Sequence, residues 1–533
     1  MLSPEFLDSL PENVVKLFAQ VEQDILMDMA RRISKMDTIT DTAAWQAWRY
    51  EQTKLVSSNA LKVLANATGK SKTELMELFQ AAALETLQSD GKIYSAAGLA
   101  VPEALSPTLK NILQGGYLQT GQAMDNFTAT TANTVTREFE NALDRAWLQV
   151  NTGAFSYQQS IRQAVLNLAK DGLHSVIYPS GHKDTMEVAV RRAVLTGINQ
   201  TAAKLQIARM DEMQCDLVET TAHAGARPSH AAWQGRIFSR SGTSRKYPDF
   251  ATSTGYGTGA GLCGWNCRHN FYPYFEGLSK RAYTGQQLKD FEKKEISYKG
   301  KDYTRYEASQ IQRELERRIR KSKREYLTLD AAGLDTSQTA ATLAKRRQAL
   351  KDFLNETGLR QDSFREQVAG FGRSAAARAK STAMQHLKFQ RLIEISKKGG
   401  RIEIDEGMED FISSKSFKEL HYFIKKLPDR VVRKWYKTHD SAIPTMIDRT
   451  KSLEQQARQA FELRNLHRTQ ARDLMLDQEK RRQLDITDPN KSFEELVNDK
   501  MKRKGLSREE ALIDIISTAT KTRKSVDVSL GLG

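Results

Sequence analysis

Apolar side chains recur at helical spacing through Val14, Phe18, Val21, Ile25, Met29 and Ile33, which marks one face of an α-helix. Ser9 followed three residues later by Glu12 reads as a capping box for its start, with Pro11 in the first turn. A second helix is predicted from about Thr42 through Trp45, Trp48, Leu55 and Leu64. A third is predicted from another capping pattern, Ser71 with Glu74, to a stop at Asp90 and Gly91. Long helices follow Pro107, through Phe139, Leu143 and Trp147, and lie between Tyr157 and Gly172. The aromatic residues on these faces are read as core.

The texture changes after a helix predicted from Met186 to Met213. Cys215 to Thr221 and Arg236 to Ser239 are strand-like, Ser229 to Trp233 is a short turn or helix, and Asn270 to Phe275 is strand-like again. A hairpin is expected around Lys299 to Asp302, and helix resumes at Tyr306. Gly255, Gly257, Gly259 and Gly261 alternate as in a phosphate loop. With no strand predicted before them and no helix start after, they are read as a flexible loop. The pattern predicts a mainly α protein with an inserted small α+β domain and elongated helical arms. A chain of 533 residues exceeds one hydrophobic core. Four regions are expected: a helical region over 1–175, an α+β domain over 176–305, a basic helical region over 306–400 and a helical region over 401–533.

Charge sharpens this division. The net charge of +16 favours a polyanionic environment such as nucleic acid over acidic small substrates. Between Gly277 and Gly400 there are 28 basic and 15 acidic residues, whereas the first 100 residues hold 10 basic and 13 acidic. Arg313, Arg317, Arg318, Arg320, Lys321, Lys323 and Arg324 fall on one predicted helix as the expected contacts to double-stranded DNA. Glu314, Glu316 and Glu325 on the same helix support the rival reading of a solvated, salt-bridged face. Three cysteines are too few for a disulfide framework, so a reducing compartment is expected. The opening MLSPEFLDSLPE has no basic, apolar leader, and no stretch approaches a membrane span; synthesis in the cytoplasm without membrane contact is expected.

The densest chemistry lies between His223 and His269, where His223, His230, Cys263, Cys267 and His269 fall within 47 residues. Imidazole and thiolate suit zinc, and a closed four-ligand structural site would draw on Cys263, Cys267, His269 and one of His223 or His230. The Cys-x3-Cys spacing departs from the paired knuckles of zinc ribbons. This slightly favours the other reading: a hydrogen-bonded core of the histidines with Arg227, Asn266 and Arg268, the cysteines serving as small buried hydrophobes. A nuclease or toxin built on His223, Arg227, His230 and His269 is the alternative from another class, with Asp249 the nearest carboxylate. A plain cellular nucleic-acid-binding protein is a third, disfavoured for single strands because no aromatics interleave with the basic runs. His421, His439 and His467 lie on predicted helices with no acid, base and nucleophile grouping around them.

The His, Arg and His pattern followed by CGWNCRHNFYPYFEG resembles the minor capsid protein 2 family of tailed phages, related more distantly to Mu-type head morphogenesis proteins. The opening LPENVVKLFAQVEQDILMDMARRI, the TAAWQ after it, and the late KWYKTHDSAIP and ELRNLHRTQARDLM are similar to family members too. The resemblance implies a structural minor head protein of a phage or prophage rather than an enzyme. It would be carried inside the head in few copies, with the portal, the shell or scaffold, and packaged DNA as partners. Some Mu-type relatives carry toxin or transferase domains at their C-termini, where this chain has the region after Gly400.

Overall fold

A computed structural model describes residues 2–36, 41–102, 104–152, 155, 157–177, 181–400 and 402–415, then 420, 427–428, 431, 452–458, 461 and 492–516. His421, His439 and His467 lie outside the described residues. The chain forms two compact units, Met1–Ala383 and Met384–Gly533.

The first unit begins with helices α1 (Pro4–Ser9) and α2 (Glu12–Ile33). Ser9 closes α1, its hydroxyl donating to the Phe6 carbonyl, and α2 starts after Pro11 without a side-chain cap. The expected capping box is therefore absent: Ser3 caps α1 instead, accepting from the Phe6 N–H. Helix α3 (Thr42–Ala96) is one element of 55 residues rather than two. Ser71 does not cap, because it is buried within α3 and its hydroxyl donates to the Thr68 carbonyl. Nor do Asp90 and Gly91 stop the helix, since the Asp90 carboxylate is held by Gln206. The stop comes at Gly98, whose φ of 77° turns the chain.

Helix α4 (Pro107–Asn151) returns antiparallel to α3, as the pairs Arg49 with Asp144, Thr68 with Thr128 and Phe79 with Tyr117 show. At about 1.5 Å per residue the two helices are roughly 80 and 70 Å long. Trp45 stacks on Trp48 and on Trp147, with ring centroids 5.6 and 5.5 Å apart. Helix α5 (Tyr157–Asp171), a hairpin of β1 (His174–Ile177) and β2 (Lys183–Thr185), and helix α6 (Met186–Glu212) complete this body, whose core runs from Leu2 through Phe18, Phe79 and Val135 to Ile198.

The small α+β part follows as expected. Strand β3 (Leu217–Thr220) lies between β4 (Ile237–Ser239) and β5 (Phe271–Pro273), all antiparallel, with short helices α7 (Pro228–Ala231) and α8 (Phe250–Thr254) in the connections. The glycine-rich loop is packed rather than open. A Cβ on Gly261 would lie 2.0 Å from the Gly255 carbonyl oxygen, and one on Gly259 would meet the Trp265 ring at 2.6 Å. Those glycines allow backbone to lie on backbone, a constraint invisible in composition.

After α9 (Gly285–Asp290), strands β6 (Ile296–Tyr298) and β7 (Lys301–Tyr303) form the expected hairpin. Lys299 and Gly300 occupy its turn at φ 50° and 73°, as a type I′ turn requires. Thr304 and Glu307 make a capping box for α10 (Arg305–Ala331), which packs on α11 (Ser337–Thr357) through Ile319, Tyr326, Leu343 and Phe353. The boundary between units falls inside α12 (Arg373–Lys397). In the second unit Phe389, Ile402, Ile404, Met408 and Ile412 form one core, and Phe493, Leu496, Val497, Ala511, Leu512 and Ile515 contribute to another. No described helix is long and apolar enough to cross a membrane.

Candidate functional site

Two polar residues on α6 hold the region together. Asn199 and Gln206 are seven positions apart, close to two helical turns, so they share a face. Asn199 donates its amide to the carbonyls of Cys267 and His269, both at 3.1 Å, and accepts from the Asn270 amide at 3.1 Å. Gln206 donates to Asp90 at 2.9 Å and to the Phe271 carbonyl at 2.5 Å. The segment entering β5 is thus pinned to α6, and from its other side Asn270 donates its N–H to the Thr221 hydroxyl at 2.8 Å.

This brings three of the five expected ligands to one point. His230 Nδ1 lies 3.4 Å from His269 Nδ1, and Cys267 Sγ lies 3.7 Å from each. All three side chains are buried. His230, in α7, donates from Nε2 to the Ala260 carbonyl at 2.9 Å. His269 donates from Nε2 to Gln234 Oε1 at 3.2 Å, and that oxygen also accepts the His223 N–H at 3.1 Å, which settles the orientation of the amide. His223 stands outside the triangle, its ring stacked 4.4 Å from that of His269. Cys263 also stands apart, with its thiol directed at the His269 carbonyl 3.6 Å away. Burial pushes both triangle imidazoles below their ordinary value, His269 well below, and pushes the Cys263 and Cys267 thiols up.

A cavity of about 340 Å³ opens beside the triangle, lined by its three side chains and His223 together with seven arginines and three carboxylates, Asp8, Glu187 and Glu316. Asp8 pairs with Arg268 at 2.7 Å, and Glu187 with Arg320 at 3.3 Å. Arg313 is lowered to about 10 by burial first and then by the neighbouring Arg268 and Arg365, and its Nε is buried without a hydrogen-bond partner among the described residues. Burial raises Glu316 to about 7 despite a hydrogen bond from Gln312. Positive charge at this wall therefore exceeds the negative charge facing it.

The seven basic residues read as DNA contacts do not share one face. Arg317 and Arg318 are exposed and both bond to Glu314. Arg313 and Arg320 line the cavity, and Arg317 reaches its rim; Lys323 is buried with its ammonium on the Glu366 carbonyl, and Lys321 and Arg324 are half-buried. Asp249, the carboxylate of the hydrolytic reading, caps α8 by accepting the Thr252 N–H at 2.7 Å. Sequence reasoning passed over Asn199 and Gln206, detectable as polar residues spaced by two turns on a buried helix face. It also passed over Asp8, Arg191 and Arg365, which reach the cavity from distant segments and leave no local signal.

Residues 2–355 match the family described as phage minor capsid protein 2. The chain belongs to that family. The matched span runs from α1 into α11 and contains the whole triangle and every residue lining the cavity except Arg365. As a minor capsid protein 2 member it is similar to a structural protein of Lactococcus phage LL-H, 29% identical over 234 residues that cover 42% of this chain and 60% of the relative. A structural protein of Lactococcus phage mv4 is 35% identical over 106 residues, which cover 20% of this chain and 76% of that relative. The chain thus spans about 60% of the LL-H protein. No solved structure matches it. Family membership makes this chain a structural component of a phage virion.

Proposed function

We propose that this protein sits inside the phage head, where its first unit docks on the portal through the paired long helices and its basic segment, Gly277 to Gly400, meets packaged DNA. The observation that carries the docking assignment is the exposure of large apolar side chains on α3 and α4. Tyr50, Leu55, Leu61, Leu84, Leu118 and Leu148 all reach solvent on helices whose inner faces already fill the core. Such residues suit a protein partner better than a polyanion, as does the slight acidic excess of the first 100 residues. Co-expression of the full chain with the portal protein of the same phage tests this. The two should co-purify, and Leu55→Glu with Leu61→Glu should reduce recovery at least tenfold while leaving the melting temperature unchanged. Co-purification with the major shell protein alone overturns the portal assignment.

A further inference from the structure

We propose that His230, Cys267 and His269 bind a zinc-class divalent cation whose fourth coordination position opens into the arginine-lined cavity and accepts a phosphate-class oxyanion there. The argument is independent of the portal and DNA reading above.

Tautomers supply the first step. The Ala260 carbonyl can only accept, so His230 carries its proton on Nε2. Gln234 Oε1, already fixed as an acceptor by the His223 N–H, places the His269 proton on Nε2 as well. Both Nδ1 atoms are then lone-pair acceptors, and they face each other at 3.4 Å. The neighbouring thiol has one hydrogen and can satisfy only one of them. A cation between them satisfies both nitrogens and the sulfur together.

The spacing supplies the second step. Tetrahedral zinc, with Zn–N near 2.0–2.1 Å and Zn–S near 2.3 Å, separates two nitrogens by about 3.3 Å and a nitrogen from a sulfur by about 3.6 Å. The separations here are 3.4 Å for the nitrogens and 3.7 Å for each nitrogen–sulfur pair. Both imidazoles are oriented by carbonyl acceptors, and the His269 N–H donates to Cys267 Sγ at 3.4 Å, the outer support that metal-binding side chains characteristically have.

The cavity supplies the third step. Each of the three ligands lines it, so the open side of the triangle faces the guanidinium groups. Two neutral imidazoles and one thiolate leave a divalent ion with one net positive charge, to which Arg227, Arg268 and Arg313 add theirs. Planar guanidinium groups match the oxygens of phosphate in pairs.

The test uses the full chain. Purified without chelator, it should carry about one zinc per chain. Cys267→Ser and His230→Gln should lose it, while Cys263→Ser and His223→Ala should keep it. Gln234→Leu, which removes outer support and leaves the ligands in place, should weaken zinc binding roughly 10–100-fold. Replacing zinc by cobalt provides a visible spectrum that reports the fourth position. Inorganic phosphate or a short DNA duplex should shift that spectrum, the stronger responder naming the source of the oxyanion, and Arg313→Gln should weaken the response without changing metal content. A folded chain, judged by near-ultraviolet circular dichroism, that takes up no zinc overturns the proposal. Loss of metal in folded Cys263→Ser or His223→Ala, or a cobalt spectrum indifferent to both phosphate and duplex, overturns the open fourth position.

Discussion

Asn199 donates its side-chain amide to the His269 carbonyl at 3.1 Å across 70 residues of sequence, and that bond, shared with the Cys267 carbonyl, sets where the His269 ring stands. Replacing Asn199 by leucine leaves two buried carbonyls without this donor. At about 1–3 kcal/mol for each unsatisfied group, the loss should be roughly 2–6 kcal/mol. Chemical denaturation should show a lower midpoint at unchanged slope, and a loss below about 0.5 kcal/mol would remove Asn199 from the account.

Burial raises Asp90 from 3.8 to about 7, against the opposing hydrogen bond from Gln206. Below pH 3.8 the folded and unfolded chains are both protonated here; between 3.8 and about 7 only the folded chain keeps the proton. The contribution of Asp90 is therefore fully present at low pH and declines as pH rises through this window, by at most about 1.4 kcal/mol per pH unit. Asp90→Asn has no proton to lose, so its melting temperature should decline less than that of the parent from pH 4 to pH 7. Parallel curves would refute the assignment.

Gly261→Ala should be disproportionately costly for a loop substitution, because the new methyl would sit 2.0 Å from the Gly255 carbonyl oxygen and neither atom belongs to a movable side chain. Overpacking of this kind costs about 1–3 kcal/mol. Hydrogen exchange should rise across 255–264, while Gly257→Ala, which meets nothing within 4 Å, should cost only its φ strain at 90°. Equal effects at both positions would show that the loop is not packed.

Binding to duplex DNA should follow exposed charge rather than the basic run. Lys293, Lys294, Lys299 and Lys301 reach solvent around the β6–β7 hairpin, whereas Lys323 is buried and Arg313 and Arg320 face the cavity. Log affinity should fall with log salt at roughly −0.9 per phosphate contact. Glutamate at those four lysines should weaken retardation more than Arg317→Glu with Arg318→Glu. No retardation at low salt removes DNA from the list of partners.

The periodicity of the sequence was enough to place α2, α4, α5 and α6, the three strands of the small sheet and the turn at Lys299 and Gly300. Each is a local pattern, since a helix or strand announces its buried face by the spacing of its own residues. The family, too, was legible in CGWNCRHNFYPYFEG. What the chain does between distant segments was not. Ser71 and Asp90 carry the local marks of a helix start and stop, yet α3 runs through both because they are buried and hydrogen-bonded. On α10 the charges look alike in sequence; packing against α2, α5 and α11 turns Lys323 inward and leaves Arg318 outside. Five histidines and cysteines formed one group by proximity in sequence, and only the tertiary structure separated the three that converge from the two that stand aside. A side chain's type is local, but its partner and its access to solvent depend on segments tens to hundreds of residues away, and those are set when Asn199 and Gln206 draw the strand entering the site onto α6.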